Sequence, residues 1–255
     1  MAFPKLSGFG CLHSVRESSQ LSNYQNIFLN KLQNTLLALL PPAQCALCGQ
    51  ASRRGLCDAC RRELPWLDQP VCQRCAMPSL IAGDCPQCQR TLPAFTRTVA
   101  AFEYAGWLAR CIPAGKFSGR WSLFDLLARE AAHRLDGMPQ PEVIIPVPLF
   151  ARRWQERGFN QSLQIATVWS RHLGVPVEPR WLARVRDTGH QLQLDLPSRQ
   201  RNLRQAFSAK SAVAGRHIAL VDDVMTTGTT LHVAARTLLK AGARRVDAWV
   251  LARTL

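Results

Sequence analysis

From about residue 93 onward, apolar positions alternate between short uninterrupted runs and helical spacing. The runs, of which IALV at 218–221 is the clearest, predict buried strands at 98–104, 142–147, around 177–184, at 218–221 and at 245–251. Helical spacing predicts helices at 107–112, 121–135, 160–173 and 231–239. This alternation is typical of an α/β fold with a doubly wound, mostly parallel sheet, which binds ligands at the carboxyl ends of its strands.

The first part of the chain has a different pattern. Residues 1–26 are polar and aperiodic, which predicts a flexible arm or a stretch that is not part of the native protein. In 27–42, apolar side chains recur at helical spacing until Pro41 and Pro42 stop the segment. We interpret 27–42 as an amphipathic helix that packs on its own protein. A helix on a membrane surface is the lesser interpretation, because Lys31 is the only cation in the segment.

Four C-x-x-C pairs follow this segment. A tight turn within each pair presents two thiolates to one tetrahedral zinc ion, so two pairs complete a site. Sequential pairing gives two structural zinc sites, and pairing of alternate C-x-x-C pairs stays open as a second arrangement. Disulfides or redox pairs are the alternative chemistry, which four repeats of metal-type spacing disfavour. The eight cysteines are Cys45, Cys48, Cys57, Cys60, Cys72, Cys75, Cys85 and Cys88.

Together these patterns predict four segments. They are a flexible arm at 1–26, an amphipathic helix at 27–42, a double zinc ribbon at 43–92 and an α/β domain at 93–255. A module as short as 43–92 has little core of its own, so we expect zinc to hold it folded.

Two acids and a turn of small residues follow the strand at 218–221. Asp222 and Asp223 stand at its carboxyl end, and the turn 226–230 opens the next helix. Unpaired backbone N–H groups at a helix N-terminus favour a phosphate, and neighbouring carboxylates accept hydrogen bonds from a sugar diol. The stretch therefore predicts a sugar phosphate site made of the two acids with Thr226, Thr227, Gly228, Thr229 and Thr230. The alternative is a threonine N-cap beside two solvated acids.

Cations and amides follow the strand at 142–147. The pattern fits a second phosphate site at the end of another strand, but a solvated arginine face with a plain asparagine N-cap explains it equally well. The residues concerned are Val147, Pro148, Arg152, Arg153, Arg157, Gly158 and Asn160.

The composition favours a globular protein with anionic partners. The net charge is +15, and five of the 32 basic residues are lysines, so arginine, the better bidentate phosphate ligand, is the main cation. Eight thiolates and two Zn²⁺ ions together add −4, which leaves +11. The sequence has no apolar run of about 18 residues and no long apolar segment near its start, so we expect a cytoplasmic protein without a membrane span.

The order of these motifs closely resembles that of the ComF/GntX family of bacterial competence and DNA-utilisation proteins, over roughly residues 30–255. The similarity rests on the zinc ribbon cysteines, IIPVPLFARRWQERGFNQS, RVRDTGHQLQLDLPSRQRNLRQAF, LVDDVMTTGTT and AGARRV. It implies a type I phosphoribosyltransferase fold behind a cysteine-rich module, and a link to the uptake or use of external DNA.

The resemblance also implies roles for individual residues. Asp222 and Asp223 would hold the ribose hydroxyls of phosphoribosyl diphosphate (PRPP), the turn 226–230 its 5′-phosphate, and the loop after Val147, chiefly Arg157 and Asn160, its pyrophosphate. Magnesium would be held mainly by PRPP and water. The stretch 184–201 would be a mobile loop that closes over the site.

One departure concerns the acceptor. Purine phosphoribosyltransferases usually carry an aspartate where this chain has Thr226, so purine salvage is not expected. The residues that would replace this acid are Arg184, Arg186, His190 and Arg199. The candidates for catalysis are Arg157, Arg199 and His190, the last as a general acid or base.

Three functional hypotheses follow. The first is a magnesium-dependent phosphoribosyltransferase, a glycosyltransferase with an unknown acceptor. The second is a sensor of PRPP or a nucleotide that has no catalysis and binds single-stranded DNA or proteins of DNA uptake and processing. The arginine excess and the zinc ribbons favour the second hypothesis. The third is a structural adapter with a vestigial site, which does not bind PRPP.

Overall fold

The computed structural model describes residues 44–80, 83–117, 121–186 and 205–255. The predicted arm at 1–26, the predicted helix at 27–42, and His190 and Arg199 with most of the stretch 184–201 lie outside the described residues. The chain divides into two compact units, Met1–Asp58 and Ala59–Leu255.

Six strands are present in the described part of the chain. Four of them form a parallel sheet in the order β1-β6-β5-β2, and β3 pairs with β4 in a separate antiparallel ribbon. The strands are β1 (Thr98–Glu103), β2 (Val143–Pro146), β3 (Leu182–Arg184), β4 (Phe207–Ala209), β5 (His217–Met225) and β6 (Arg245–Arg253).

The helices connect these strands, as the predicted alternation requires. The described residues also contain two short 3₁₀ helices, Ala132–Leu135 and Ser211–Val213. The α-helices are α1 (Asp58–Arg62), α2 (Pro86–Arg90), α3 (Gly106–Phe117), α4 (Trp121–Ala131), α5 (Ala151–Arg157), α6 (Gln161–Leu173) and α7 (Thr229–Lys240).

The core lies around the two central strands. All residues from His217 to Val221 are buried, although successive side chains point to opposite faces of the sheet, so both faces of β5 are covered. Helix α6 packs against β2, β5 and α4, and α7 packs against β5, β6 and β4. The doubly wound α/β fold and the cysteine-rich N-terminal region predicted from the sequence are confirmed.

Three local predictions were wrong. Strand β5 does not end before the acids but continues through Asp222 and Asp223, because β6 extends alongside and supplies backbone partners as far as Met225. The strand expected around 177–184 shrinks to β3, and Val177 forms only an isolated bridge with Ile144. The segment after Val147, expected as a loop, contains α5.

Within the described ranges, no helix is both long enough and apolar enough to cross a membrane.

Candidate ribose phosphate site and zinc clusters

Two groups of four cysteines come together in the described residues. The first cluster is Cys45, Cys48, Cys57 and Cys60, and the second cluster is Cys72, Cys75, Cys85 and Cys88. In each cluster the sulfur atoms all lie within 4.8 Å of one another. The sequential pairing is therefore present, and the alternate pairing is wrong.

The sulfur geometry fits zinc. A tetrahedron with Zn–S bonds of about 2.3 Å has S···S edges of about 3.8 Å. The Cys48–Cys57 and Cys75–Cys85 sulfur pairs are 3.6 Å apart, much longer than a disulfide bond of about 2.05 Å. Four cysteine ligands leave no open coordination position, which is typical of structural zinc.

The same turn builds the first half of both clusters. The N–H groups of Cys45 and Cys72 donate to the carbonyl oxygens of Gln50 and Met77, at 2.6 and 2.8 Å. The residue four positions after each of these cysteines closes the turn with a positive φ. In the first cluster it is Gly49 (φ 76°), and in the second it is Ala76 (φ 55°), a residue type that rarely adopts this conformation.

Asp222 and Asp223 contact two other elements, α6 and α3. The hydroxyl of Ser162, in the first turn of α6, donates to Asp222 Oδ1 at 2.9 Å. The backbone N–H of Asp223 donates to the same oxygen at 3.0 Å. Lys116 Nζ, near the end of α3, lies 2.5 Å from Asp223 Oδ2. The two acids are thus fixed in orientation, and one of them is paired with a cation.

The two carboxylates differ in their electrostatic setting. Burial, and then the charge of Asp223, raise the pKa of Asp222 from 3.8 to about 7, against the opposing effects of the Ser162 hydroxyl and Lys116. Because a protonated carboxyl is a poorer hydrogen-bond acceptor than a carboxylate, the capacity of Asp222 to accept hydrogen bonds depends on pH near neutrality.

The loop 226–230, called the threonine loop below, joins β5 to α7. Gly228 is the N-cap of α7 and has a φ of 76°, which a residue with a side chain adopts only with strain. The Thr227 and Thr229 hydroxyls are 2.8 Å apart and exposed. Helix α7 starts at Thr229, and Gly228 offers it no side-chain cap. The Thr229 N–H donates to the Thr227 hydroxyl oxygen at 3.4 Å, a long hydrogen bond that an anion at this helix start would replace.

The segment after β2 also approaches the acids. Asn160 is the N-cap of α6: its Oδ1 accepts from the Ser162 N–H at 3.0 Å, and its Nδ2 donates to the Val147 carbonyl at 3.1 Å. Asn160 therefore places Ser162, the hydroxyl that contacts Asp222. Burial, and then the charge of Arg153, lower the pKa of Arg157, and the nearby Asp223 carboxylate opposes this shift.

The structure thus places most predicted residues around one carboxyl edge of the sheet. Gly158 is the C-cap of α5 with a φ of 72°, and the Val147 N–H donates to the Val221 carbonyl at 2.8 Å. Pro148 follows Val147 in this connection. Of the residues proposed to replace the purine-specific aspartate, Arg184 lies over the Phe207 ring at 5.5 Å and Arg186 is exposed.

Sequence reasoning missed Lys116, Ser162 and Arg253. Lys116 lies on α3, where the sequence contains no ligand-binding motif, so nothing in the sequence indicated that this lysine is near the acids. Ser162 follows the amides that were noted, and the helix start predicted at Asn160 places it in the first turn. Arg253 is a single cation at the end of the apolar run of β6, a pattern that indicates a buried charge with specific partners.

Comparison with known proteins gives two family matches. Residues 36–93 match the model of a double zinc ribbon domain, and residues 160–254 match that of a phosphoribosyl transferase domain.

Similar proteins cover most of the chain. A DNA utilization protein, YhgH of Escherichia coli O157:H7, is 37% identical over 227 residues, which are 85% of this chain and 100% of the relative. Competence protein F of Haemophilus influenzae is 33% identical over 212 residues, 79% of this chain and 92% of the relative. Among solved structures, a glutamine PRPP amidotransferase from B. subtilis complexed with ADP and GMP aligns with 25% identity and a TM-score of 0.35. That alignment covers 52% of this chain and 26% of the amidotransferase.

Proposed function

Since the chain belongs to the family of the DNA utilization and competence F proteins, and joins a double zinc ribbon to a phosphoribosyltransferase-type domain, we propose that it binds PRPP or a related ribose phosphate. The observation that carries this proposal is the convergence of Asp222, Asp223, Ser162 and Lys116 immediately before the threonine loop. The acids are acceptors for a sugar diol, and the loop and the start of α7 are donors for a phosphate.

Each part of the ligand has a matching group in this arrangement. The ribose hydroxyls donate to Asp222 and Asp223, and the 5′-phosphate accepts from the threonine loop. The pyrophosphate faces the segment after Val147, where Arg157 supplies positive charge. Lys116 exchanges Asp223 for the anionic ligand, because its flexible stem carries the ammonium group over several ångströms.

Magnesium fits this donor set. Two carboxylates and the oxygens of PRPP are the hard ligands that Mg²⁺ prefers, and the ion would neutralise charge on the pyrophosphate. Asp222 and Asp223 are the residues of this chain that would contact the ion, directly or through water.

In a transfer reaction, a nitrogen nucleophile of the acceptor forms a bond to C1′ while the bond from C1′ to the pyrophosphate oxygen breaks. Arg157 and Lys116 stabilise the charge that builds on the leaving group. In the sensing alternative, the same residues bind PRPP or a nucleotide and no bond changes. The geometry supports binding in both cases, so pyrophosphate release separates them.

The first experiment combines a ligand comparison with a turnover assay. We expect PRPP with Mg²⁺ to raise the melting temperature more than ribose 5-phosphate or pyrophosphate alone, because only PRPP occupies both parts of the site. Pyrophosphate release is then followed with a panel of nucleobases and DNA. Release with one acceptor identifies a transferase, and stabilisation without release identifies a sensor. Equal melting temperatures with and without all three ligands would reject the site.

Single-stranded DNA binding is a second candidate function. It is supported by the net charge of +15 and by an exposed aromatic residue on α5. Trp154 is 47% exposed, and Arg152, Arg153 and Arg157 lie on the same short helix. A base stacked on an aromatic ring with nearby arginines is a common mode of single-strand binding.

This second function is tested by fluorescence anisotropy with a labelled single strand across a range of salt concentrations. We expect affinity to fall steeply with salt, and Trp154→Ala to weaken binding at every salt concentration while Trp154→Phe retains it. Absence of binding at low salt would remove the DNA hypothesis, and an unchanged affinity of Trp154→Ala would remove α5 from the interface.

A further inference from the structure

A buried arginine connects the second zinc cluster to the threonine loop. Arg253, the last residue of β6, is only 6% exposed. Its Nε donates to the carbonyl oxygen of Cys75, a member of the second cluster, at 2.9 Å. Its Nη1 donates to the carbonyl of Met225 at 3.0 Å and also to those of Thr226 and Thr254. One guanidinium therefore holds a zinc ligand and the first residue of the threonine loop.

Further contacts join the same two regions. The N–H of Ala94, just after the second ribbon, donates to Nδ1 of His232, in the first turn of α7, at 3.1 Å. Phe95 is 1% exposed, belongs to the same core cluster as Met225 and the four cysteines, and lies beneath Gly228. The loop, the start of α7 and the second cluster thus share one packed interior.

The charges of the two partners are complementary. Four thiolates around Zn²⁺ carry a net charge of −2, and a guanidinium carries +1. A buried cation is tolerated when anions and well-placed acceptors surround it.

We infer that the second zinc cluster, through Arg253 as a positioning residue, holds the threonine loop in the shape that binds a ribose 5′-phosphate. The inference rests on the proposed function for its ligand. It assigns the second ribbon a role beyond folding, since loss of zinc would release the Cys75 carbonyl and, with it, the support of the Met225 and Thr226 carbonyls. Cys75 and Thr227 both line one cleft of about 270 Å³, so the second cluster and the threonine loop border the same space.

The coupling between zinc binding and ligand binding must be reciprocal, and this can be tested in the wild-type protein. If zinc supports the loop for ligand binding, then bound ligand must support zinc to the same extent. The protein is treated with a chelator and a thiol alkylating reagent, with and without PRPP and Mg²⁺, and alkylation of each cysteine is followed by peptide mass spectrometry. We expect PRPP to slow alkylation of Cys72, Cys75, Cys85 and Cys88 at least fivefold. An unchanged rate at saturating PRPP would overturn the inference.

A substitution tests the arginine itself. Arg253→Lys keeps the charge but cannot reach both sets of carbonyls with a planar fork. We expect it to retain two zinc ions, to bind PRPP about tenfold more weakly, and to exchange the amides of 226–230 faster. Arg245→Lys is the matched control, because Arg245 lies at the other end of β6 and donates to Asp247. An Arg253→Lys variant with wild-type affinity and wild-type amide exchange would contradict the role.

Failure of the proposed function is distinguishable from failure of this inference. If the wild-type protein does not bind PRPP, the ribose phosphate site is rejected. The link between zinc and loop is then decided in the ligand-free protein by hydrogen exchange. Faster exchange at 226–230 when the second cluster loses zinc supports the link, and unchanged exchange rejects it.

Discussion

At the scale of single residues, the turn of the second cluster contains a strained alanine. Ala76 has a φ of 55° where the equivalent residue of the first cluster is Gly49, and Ala76 is 1% exposed. An alanine in the left-handed region costs about 1 kcal/mol relative to glycine. The second cluster therefore folds against a local penalty that the first cluster avoids.

A pair of reciprocal substitutions tests this difference. We expect Ala76→Gly to make the second cluster more resistant to chelation by about 1 kcal/mol, and Gly49→Ala to make the first cluster less resistant by a similar amount. Nothing lies within 4 Å of a Cβ added at Gly49, so backbone strain alone acts there. Zinc release in chelator, resolved by cysteine alkylation, measures both effects. The same sign for both substitutions would refute the strain argument.

The raised pKa of Asp222 gives a second prediction at this scale. Carbon-13 NMR of labelled aspartate should show a titration midpoint of about 7 for Asp222 in the ligand-free protein. Ser162→Ala and Lys116→Met should raise the midpoint further, because each removes a partner that favours the ionised form. A midpoint near the ordinary value of 3.8 would contradict the desolvation of this carboxyl and its repulsion by Asp223.

The sign of the pH effect follows from the direction of the shift. A carboxyl whose pKa is raised by folding binds more protons in the folded than in the unfolded state, so its contribution to stability falls as the pH rises from about 4 to about 7. The affinity for a sugar diol should change in the opposite direction over this pH range. We expect affinity to increase as Asp222 ionises, since the carboxylate is the better acceptor.

At the scale of elements, the threonine loop depends on one glycine. Gly228 has a φ of 76°, and an added Cβ would lie 2.6 Å from Cε of Met225. The methionine tip can move, so the backbone conformation is the larger cost. Gly228→Ala should destabilise the protein by about 1 kcal/mol and weaken PRPP binding beyond that effect, because the strain falls within the phosphate site.

Gly174→Ala is the matched control for this substitution. Gly174 is the C-cap of α6 and has a φ of 70°, similar to that of Gly228. Nothing lies within 4 Å of a Cβ added at Gly174. It should lower stability by a similar amount and leave PRPP affinity unchanged, as urea unfolding and calorimetry will show. Equal affinities of the two variants would remove Gly228 from the ligand site.

The strand β5, the threonine loop and the helix α7 were predicted because the apolar pattern and the ligand motif lie in one stretch, 218–239. Buried strands such as β5 and helices such as α6 have strong local patterns, and the cysteine spacing alone identified the metal ligands. The end of β5 was misplaced because the acids interrupt the apolar run, whereas the β6 backbone pairs with them regardless of side chain. Helix α5 was missed because its polar sequence has no apolar face.

Contacts between distant residues could not be predicted. Lys116 and Asp223 are far apart in sequence, and their pairing depends on where α3 ends relative to β5. Arg253 and Cys75 meet only because the second ribbon packs against the carboxyl end of β6. Such contacts are set by tertiary packing, which local pattern does not encode.

At the scale of the whole molecule, zinc is expected to be part of the fold. We expect elemental analysis of undamaged protein to find two zinc ions per chain, because each cluster provides four sulfur ligands. Chelation should lower the melting temperature, because each ribbon loses the ion that holds its four cysteines together. A zinc content well below two would reject at least one of the clusters.

The chain as a whole combines two thiolate clusters, a carboxylate pair next to the threonine loop, and an excess of arginine. Arg253 connects the second cluster to the threonine loop, and Lys116 connects α3 to Asp223. In our account, ribose phosphate binding is the central function, and the second zinc cluster supports the loop that binds the phosphate.

Calorimetric titration with PRPP and Mg²⁺ tests this account most directly, when it compares the wild-type protein with the double variant Asp222→Ala, Asp223→Ala. Circular dichroism and zinc content establish that the variant is folded. The account predicts saturable binding to the wild-type protein and none to the folded double variant. Equal affinity of the two proteins would contradict it.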